Sequence, residues 1–431
     1  MNIVSSIKEN ITVKIQKNLN KDYISRMLNI IGSTPVLLAY GGTFSSQSDK
    51  YLNMASIKIL KQAYSEQATV AYGSLFLPYE FFHALDLTPF MPEVMAGFTA
   101  SLRLTDKTLK EASSRWYTPD LCTFHRSASG AVELGLFPEP KFLICCNLAC
   151  DAAQKTFYID AKKFNLEKNF YLIDVPYEYS QESLAYLATQ FKEISIDICN
   201  KLDKKLDIDK FKKILKLSNE FRKWALLANE IRKELLEYPL NYNGLNFILP
   251  FHGLAGTRDG VILYKKIYQE LKQYLEKQNN DNSFDIKKYK KILWLHLKPY
   301  YKNNIFTILD QNNFKVVFEE INYVYWPELD PEDPFISLAK KMLSHPLNGK
   351  IKNRLNAILN IANDYKIDGA ILFSHWGCRH SNGGARIISD SLKGIGIPTL
   401  ILDGDCVNKN NSSEGQITTR LQGFIEILNS K

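Results

Sequence analysis

Three cysteines, each placed where the chain leaves an apolar run, carry the most chemistry: Cys122 in LCTFHRSASG, Cys150 in ICCNLACDAAQK and Cys378 in FSHWGCRHSNGG. Three thiolates that converge form a site with one coordination position left open. Such a site binds a metal or an iron–sulfur cluster that can itself react, whereas a closed four-ligand site serves structure or electron relay. The three positions are separated by 28 and 228 residues, and no C-x-x-C occurs, so only tertiary folding can assemble them. The other thiols read as packing: Cys145 and Cys146 lie inside an apolar strand, Cys199 lies in a helical stretch, and Cys406 follows a strand. His125, His375 and His380 flank two of the candidate ligands and are suited to proton transfer, while His83 lies in an earlier helix. The chain has no H-E-x-x-H, G-x-S-x-G, Walker loop or G-x-G-x-x-G after a strand, which argues against a zincin, a hydrolase triad, a P-loop and a dinucleotide fold.

Both cysteine turns at 150 and 378 follow strand-like runs, KFLICCN and GAILFSH, and precede helical ones. Carboxyl ends of parallel strands are where open α/β sheets bind ligands, and a helix N-terminus favours thiolate over thiol. Cys122 likewise precedes the helix-compatible SASGAVELG. The surrounding elements alternate. TVAYGSLF reads as a strand with Pro78 opening a helix, followed by the strand KFLICCN, the helix DAAQKTFYIDAKKF and the strand NFYLIDVP. Residues 180–240 show apolar positions at three- and four-residue steps without Pro or Gly, which predicts two or more long helices. A second alternating set follows: the helix GVILYKKIYQELKQYLEK, the linker QNNDNSFD, the strands KILWLHLKP and FKVVFEEI, the helix KNRLNAILNIANDYK, the strands DGAILFSHW and IPTLILDGD, and a terminal helix TRLQGFIEIL. The pattern predicts an α/β fold with two mostly parallel sheets. The expected divisions are an N-terminal helical segment (1–66, with the apolar PVLLAYGG), a first Rossmann-like domain (67–178), a helical connector (179–245) and a second Rossmann-like domain (246–431).

At 431 residues, with 45% hydrophobic and 23% charged residues, the composition is that of a globular chain, and no apolar run reaches the roughly 18–20 residues of a membrane span. The net charge of +8 comes largely from lysines at amphipathic spacing, as in KLDKKLDIDKFKKILKL, which reads as solvated helix face rather than a groove for nucleic acid. Seven cysteines, an odd count without a secretory leader, point to a reducing cytoplasm and to thiols that are free or metal-bound.

Taken in order, YGSLFLPYEFFHALDLTPFMPEVMAG, DLCTFHRSASG, CNLACDAAQKTF, YLIDVPY, ILFSHWGCRHSNGGARIISDSLKGIGIPTLILDGDCVN and EGQITTRLQGFIEIL resemble the 2-hydroxyacyl-CoA dehydratase and benzoyl-CoA reductase subunit family over most of residues 68–430. The matching positions are Pro78, Glu80 and Pro89, then Cys122 with Arg126, Cys150 with Asp151, Cys378, and a carboxy-terminal Glu414, Gln416 and Arg420 that shapes its domain. The resemblance implies that Cys122, Cys150 and Cys378 hold a [4Fe-4S] cluster in the cleft between the two domains, with Glu80, His125, His375 and His380 as candidate catalytic groups. It implies radical dehydration of an (R)-2-hydroxyacyl-CoA to a 2-enoyl-CoA through a ketyl radical. The implied partners are a homologous second subunit and a separate ATP-dependent iron–sulfur activator that supplies one electron. Tyr79 between Pro78 and Glu80, Asp86 where the family carries glycine, and the bulky SHWG and His380 around Cys378 depart from the commoner pattern. Those departures keep three alternatives in view. They are a benzoyl-CoA reductase-type or double-cubane [8Fe-9S] reductase, a non-catalytic cluster-carrying partner subunit, and a three-cysteine zinc site in a binding protein.

Overall fold

The computed structural model describes residues 20–31, 46–115, 117–235, 248–280 and 289–430. The apolar segment 35–42 and most of the 278–285 linker lie outside the described residues, although Gln278–Asn280 continue the preceding helix.

Two four-stranded sheets, both wholly parallel, form the frame. The first contains β1 (Val70–Gly73), β2 (Thr88–Phe90), β3 (Phe142–Cys146) and β4 (Phe170–Ile173), in the order β2-β1-β3-β4. The second contains β5 (Lys290–Leu295), β6 (Phe314–Glu319), β7 (Gly369–His375) and β8 (Thr399–Gly404), in the order β6-β5-β7-β8. Each sheet therefore starts in its interior, steps once to one side and then continues on the other: two Rossmann-like halves with the same winding. The winding reverses between β1 and β3 in one half and between β5 and β7 in the other, which are the crevices where this architecture places ligands.

The strands are unbroken apolar runs because helices cover both faces: β3 is FLICC and β7 is GAILFSH, every residue buried. Strand alternation sends Ala71, Ile144, Leu293 and Leu372 to one core, and Tyr72, Leu143, Trp294 and Ile371 to another. Each core runs through both sheets, so the halves share their packing. The helical connector is two helices, Gln181–Lys201 and Ile208–Glu234. Each has a side-chain cap: Ser180 accepts from the Ser183 N–H at 3.0 Å, and Asp207 from the Lys210 N–H at 2.9 Å.

Several elements differ from the sequence reading. β2 is an addition, because Pro89 argues against a strand. It survives as a three-residue edge strand, where a missing donor costs little. The helices Pro92–Ser101, Thr105–Ser114, Ile305–Gln311 and Pro334–Leu343 are also additional. Pro78 stands before the Tyr79 N-cap of the helix Glu80–Ala84 rather than inside its first turn. The KILWLHLKP strand stops at Leu295 because His296 adopts φ 68° and turns the chain out of the sheet. Asp86, where the resembled family carries glycine, also has a positive φ of 57°. The backbone at that position asks for what glycine supplies freely and aspartate tolerates. No helix among the described residues is long and apolar enough to cross a membrane.

Candidate active site

Each of the three singled-out cysteines is an N-cap: Cys122 of the helix Thr123–Glu133, Cys150 of the helix Asp151–Lys163, and Cys378 of the helix Arg379–Gly383. All three line one cavity of about 160 Å³ at the carboxyl ends of both sheets. Ser74 and Cys146 reach it from the ends of β1 and β3, and His296 and His375 from the ends of β5 and β7, so both winding-reversal crevices open into the same space.

Backbone geometry brings the cysteine turns together. Ala149 and Gly377, the residues just before Cys150 and Cys378, have φ of 60° and 73°. A Cβ at position 377 would lie 2.8 Å from both the Cα and the N of Cys122 and 3.0 Å from the Asp120 carbonyl oxygen. Only glycine lets the Cys378 turn rest on the Cys122 turn. Gly377→Ala, carrying a strain of about 1–3 kcal/mol, is therefore expected to raise the reactivity of Cys122 and Cys378 toward a thiol reagent severalfold while leaving the far-ultraviolet circular dichroism unchanged; unchanged thiol reactivity would contradict this packing role. Arg126 ties the Cys122 turn down by donating to the Pro119 carbonyl at 3.4 Å and the Ser113 hydroxyl at 3.0 Å. Arg379 and Asp151 join the Cys378 and Cys150 helices at 2.5 Å across the mouth.

Each thiol faces one histidine Nε2. Cys150 Sγ stands 3.1 Å from His125, Cys122 Sγ 3.4 Å from His375, and Cys378 Sγ 3.6 Å from His296. Nδ1 of His375 accepts the Cys406 N–H at 3.0 Å, so the neutral ring carries its proton on Nε2 and points it at Cys122. Burial pushes the Cys150 thiol up to about 12 and the Cys378 thiol up to about 11, and Cys122 rises well above its ordinary value through burial and the neighbouring Cys378 and Cys150 sulfurs. First-turn N–H groups pull the other way: Phe124 and His125 for Cys122, Ala152 and Ala153 for Cys150, and His380 and Ser381 for Cys378, each from beyond capping distance. Three buried thiols whose thiolates would repel one another need a cation among them to ionise together.

Of the expected catalytic groups, His125, His375 and His380 line the cavity. Glu80 does not. Fully buried, it accepts from Lys341 at 2.7 Å and Ser218 at 2.5 Å, joining the first half to the connector and to the helix Pro334–Leu343. Cys145 points away from the cavity, but its neighbour Cys146, read as packing, reaches the wall with Sγ 3.6 Å from the Ser74 hydroxyl.

Several wall groups escaped the sequence reading. Six of the chain's seven histidines line the cavity, His252, His296 and His345 among them, so the residue type is concentrated here rather than spread over the surface. Burial holds them in the neutral form, with His252 down to about 3 and His375 to about 4. Glu93, within the quoted PEVMAG, accepts the Leu75 N–H at 2.8 Å and lies 3.6 Å from His125; burial raises its pKa and favours the protonated acid. Arg354 grips Glu320 with two bonds at 2.6 and 2.8 Å and donates to the His380 carbonyl at 2.8 Å, fixing the Cys378 turn. Asp405, fully buried, takes the Thr123 hydroxyl at 2.5 Å, the Val407 and Asn408 N–H groups at 2.8 and 2.9 Å and the Asn411 amide at 3.0 Å, and so locks the β8 loop against the Cys122 helix. The motif DGDC was the available signal for Asp405. Nothing local marked His296.

Two Rossmann-like halves that aim three cysteines and six histidines into one buried cavity define an α/β protein built around a thiol-lined reaction chamber. Comparison with known proteins makes this specific: residues 74–428 match the family described as 2-hydroxyglutaryl-CoA dehydratase, D-component, and the chain belongs to that family. Among its relatives, the (R)-phenyllactyl-CoA dehydratase alpha subunit of Clostridium sporogenes is 24% identical over 82% of this chain and 88% of its own length. The (R)-2-hydroxyisocaproyl-CoA dehydratase alpha subunit of Clostridioides difficile is 21% identical over 86% and 92%. A subunit of the benzoyl-CoA reductase of Thauera aromatica is 20% identical over 82% and 87%.

Proposed function

We propose that this chain is the cluster-bearing subunit of a cytoplasmic 2-hydroxyacyl-CoA dehydratase, acting with a homologous second subunit and a separate ATP-dependent iron–sulfur activator. The observation that carries the reading is the convergence of Cys122, Cys150 and Cys378 on one buried cavity, each backed by a histidine. Their donor set suits a [4Fe-4S] cluster: three N-cap thiols in a mostly apolar chamber, with the fourth lining thiol, Cys146, paired with the Ser74 hydroxyl. When bound, the cluster would supply one-electron chemistry and an open coordination position for a substrate oxygen.

The chain's own residues do the rest. His125, His296 and His375 direct ring nitrogens at the ligand sulfurs and hold them in place. Glu93, whose pKa burial raises, is placed to deliver a proton to a departing hydroxide, with the His125 ring beside it. Leu75, Val94, Leu148 and Leu297 exclude water from the chamber. Loss of the C2 hydroxyl as water and of a C3 proton, which the emptied Glu93 carboxylate is placed to accept, then leaves an enoyl thioester.

A reductase is the second reading, favoured by the benzoyl-CoA reductase relative at similar coverage. Turnover by the anaerobically purified chain with partner and activator separates them by product mass: loss of one water is expected, and gain of two hydrogens would transfer the chain to the reductases. Adding a 2-hydroxyacyl-CoA to the chain alone should also perturb its visible and paramagnetic resonance spectra. Unchanged spectra would leave the chain as a carrier of electrons for a catalytic partner.

A further inference from the structure

Part of the chamber wall is a cluster of rings. Phe76 meets His345 edge-on at 5.0 Å between centroids and His252 at 6.1 Å, and Tyr325 meets His345 at 4.5 Å. Pro346 and Leu347 close the cluster. The Leu347 N–H donates to His345 Nδ1 at 3.1 Å, so the neutral ring keeps its proton on Nε2, and burial holds both His252 and His345 below their ordinary pKa.

The charged side chains of the wall are Glu93, Glu320 and Arg354. Arg354 is the lone lysine or arginine among these described lining residues, and its guanidinium is already committed to both oxygens of Glu320 and to the His380 carbonyl. Among the described lining residues a carboxylate brought into this chamber would find no unpaired cation. Burying a charge without a partner is among the most costly events in a protein interior. A ring or branched alkyl group would instead pack edge-on against Phe76 and Tyr325 at no such penalty.

We propose that the acyl chain admitted here is uncharged, aromatic or branched aliphatic, and that Phe76, His252, Tyr325 and His345 are the residues that select it against chains ending in a carboxylate. The inference rests on the acyl-CoA reading of the same cavity and narrows it to a substrate class.

The test is calorimetric binding of three probes to the full chain purified without oxygen: coenzyme A, 3-phenyl-2-hydroxypropanoyl-CoA and 2-hydroxyglutaryl-CoA. The nucleotide part is common to all three, so the ratio of the two thioesters isolates the acyl chain. The phenyl thioester is expected to bind at least about tenfold tighter than the glutaryl one. Leu347→Arg, which adds a cation at the ring cluster, is expected to narrow that ratio by a similar factor. Equal binding, or preference for the glutaryl thioester, would overturn the selection while leaving thioester binding intact. If neither thioester bound better than coenzyme A, the acyl-CoA reading would fall together with it.

Discussion

Cys122→Ser, Cys150→Ser and Cys378→Ser, purified without oxygen, should each lose most of the iron and acid-labile sulfide that the unmodified chain carries, whereas Cys145→Ser and Cys199→Ser should keep it. The three cysteines enter the cavity from three helix N-caps in both halves of the molecule. Removing one leaves two sulfurs and an extra open position. Serine cannot substitute, because its hydroxyl is a harder and far weaker acid than a thiol. Cys145 and Cys199 are buried in the two cores, away from the cavity, where serine changes packing but not ligation. Equal iron in all five variants would remove the ligand assignment altogether.

Lys341→Met should destabilise the chain by about 3–5 kcal/mol in urea unfolding, because it strands Glu80 as a buried charge without its partner. Lys341 is 7% exposed and Glu80 fully buried, in contrast to pairs such as Lys58–Asp259, whose lysine side chain is 69% exposed and whose contribution is about 0.2–1 kcal/mol. Burial acts to raise the Glu80 pKa, but the Lys341 charge and the hydrogen bonds from Lys341 and Ser218 outweigh it, and the carboxyl ends below its ordinary 4.5. The stability this contributes is complete above that ordinary value and disappears as pH falls through the lowered one. In Lys341→Met burial is opposed only by the Ser218 and backbone hydrogen bonds, so the Glu80 pKa moves up, and the variant should lose stability as pH rises through that raised value. Adding Glu80→Gln to Lys341→Met should restore most of the loss. A single variant as stable as the unmodified chain, with the same pH slope, would show that the pair does not hold the halves together.

That Glu80 serves this purpose and not the chemistry is a fact of tertiary structure. Its sequence surroundings, a short motif near the first strand, look the same whether the carboxylate turns toward the cavity or toward Lys341 some 260 residues away. The cysteines were legible for the opposite reason. Each sits at a local junction, strand end to helix start, and such a junction can be read from a few neighbours whatever the rest of the chain does. The strands β3, β5 and β7 were legible because burial on both faces leaves continuous apolar runs, and β8, buried on alternate residues only, because TLIL still reads as a strand. β2 was not, since its three residues pair only with β1 and carry a proline. His296 depends on a left-handed backbone at a strand end, and Glu93 and Arg354 on partners remote in sequence or in conformation, so no spacing rule points to them.

The most direct measurement of the central claim is iron and acid-labile sulfide per chain, with visible and electron paramagnetic resonance spectra, on protein purified without oxygen. About four iron and four sulfide per chain is the expected content for a single cluster on Cys122, Cys150 and Cys378. A content near eight iron and nine sulfide per cluster would move the chain to the double-cubane reductases. No iron, or zinc alone, would contradict the iron–sulfur account and leave the three cysteines without the chemistry assigned to them.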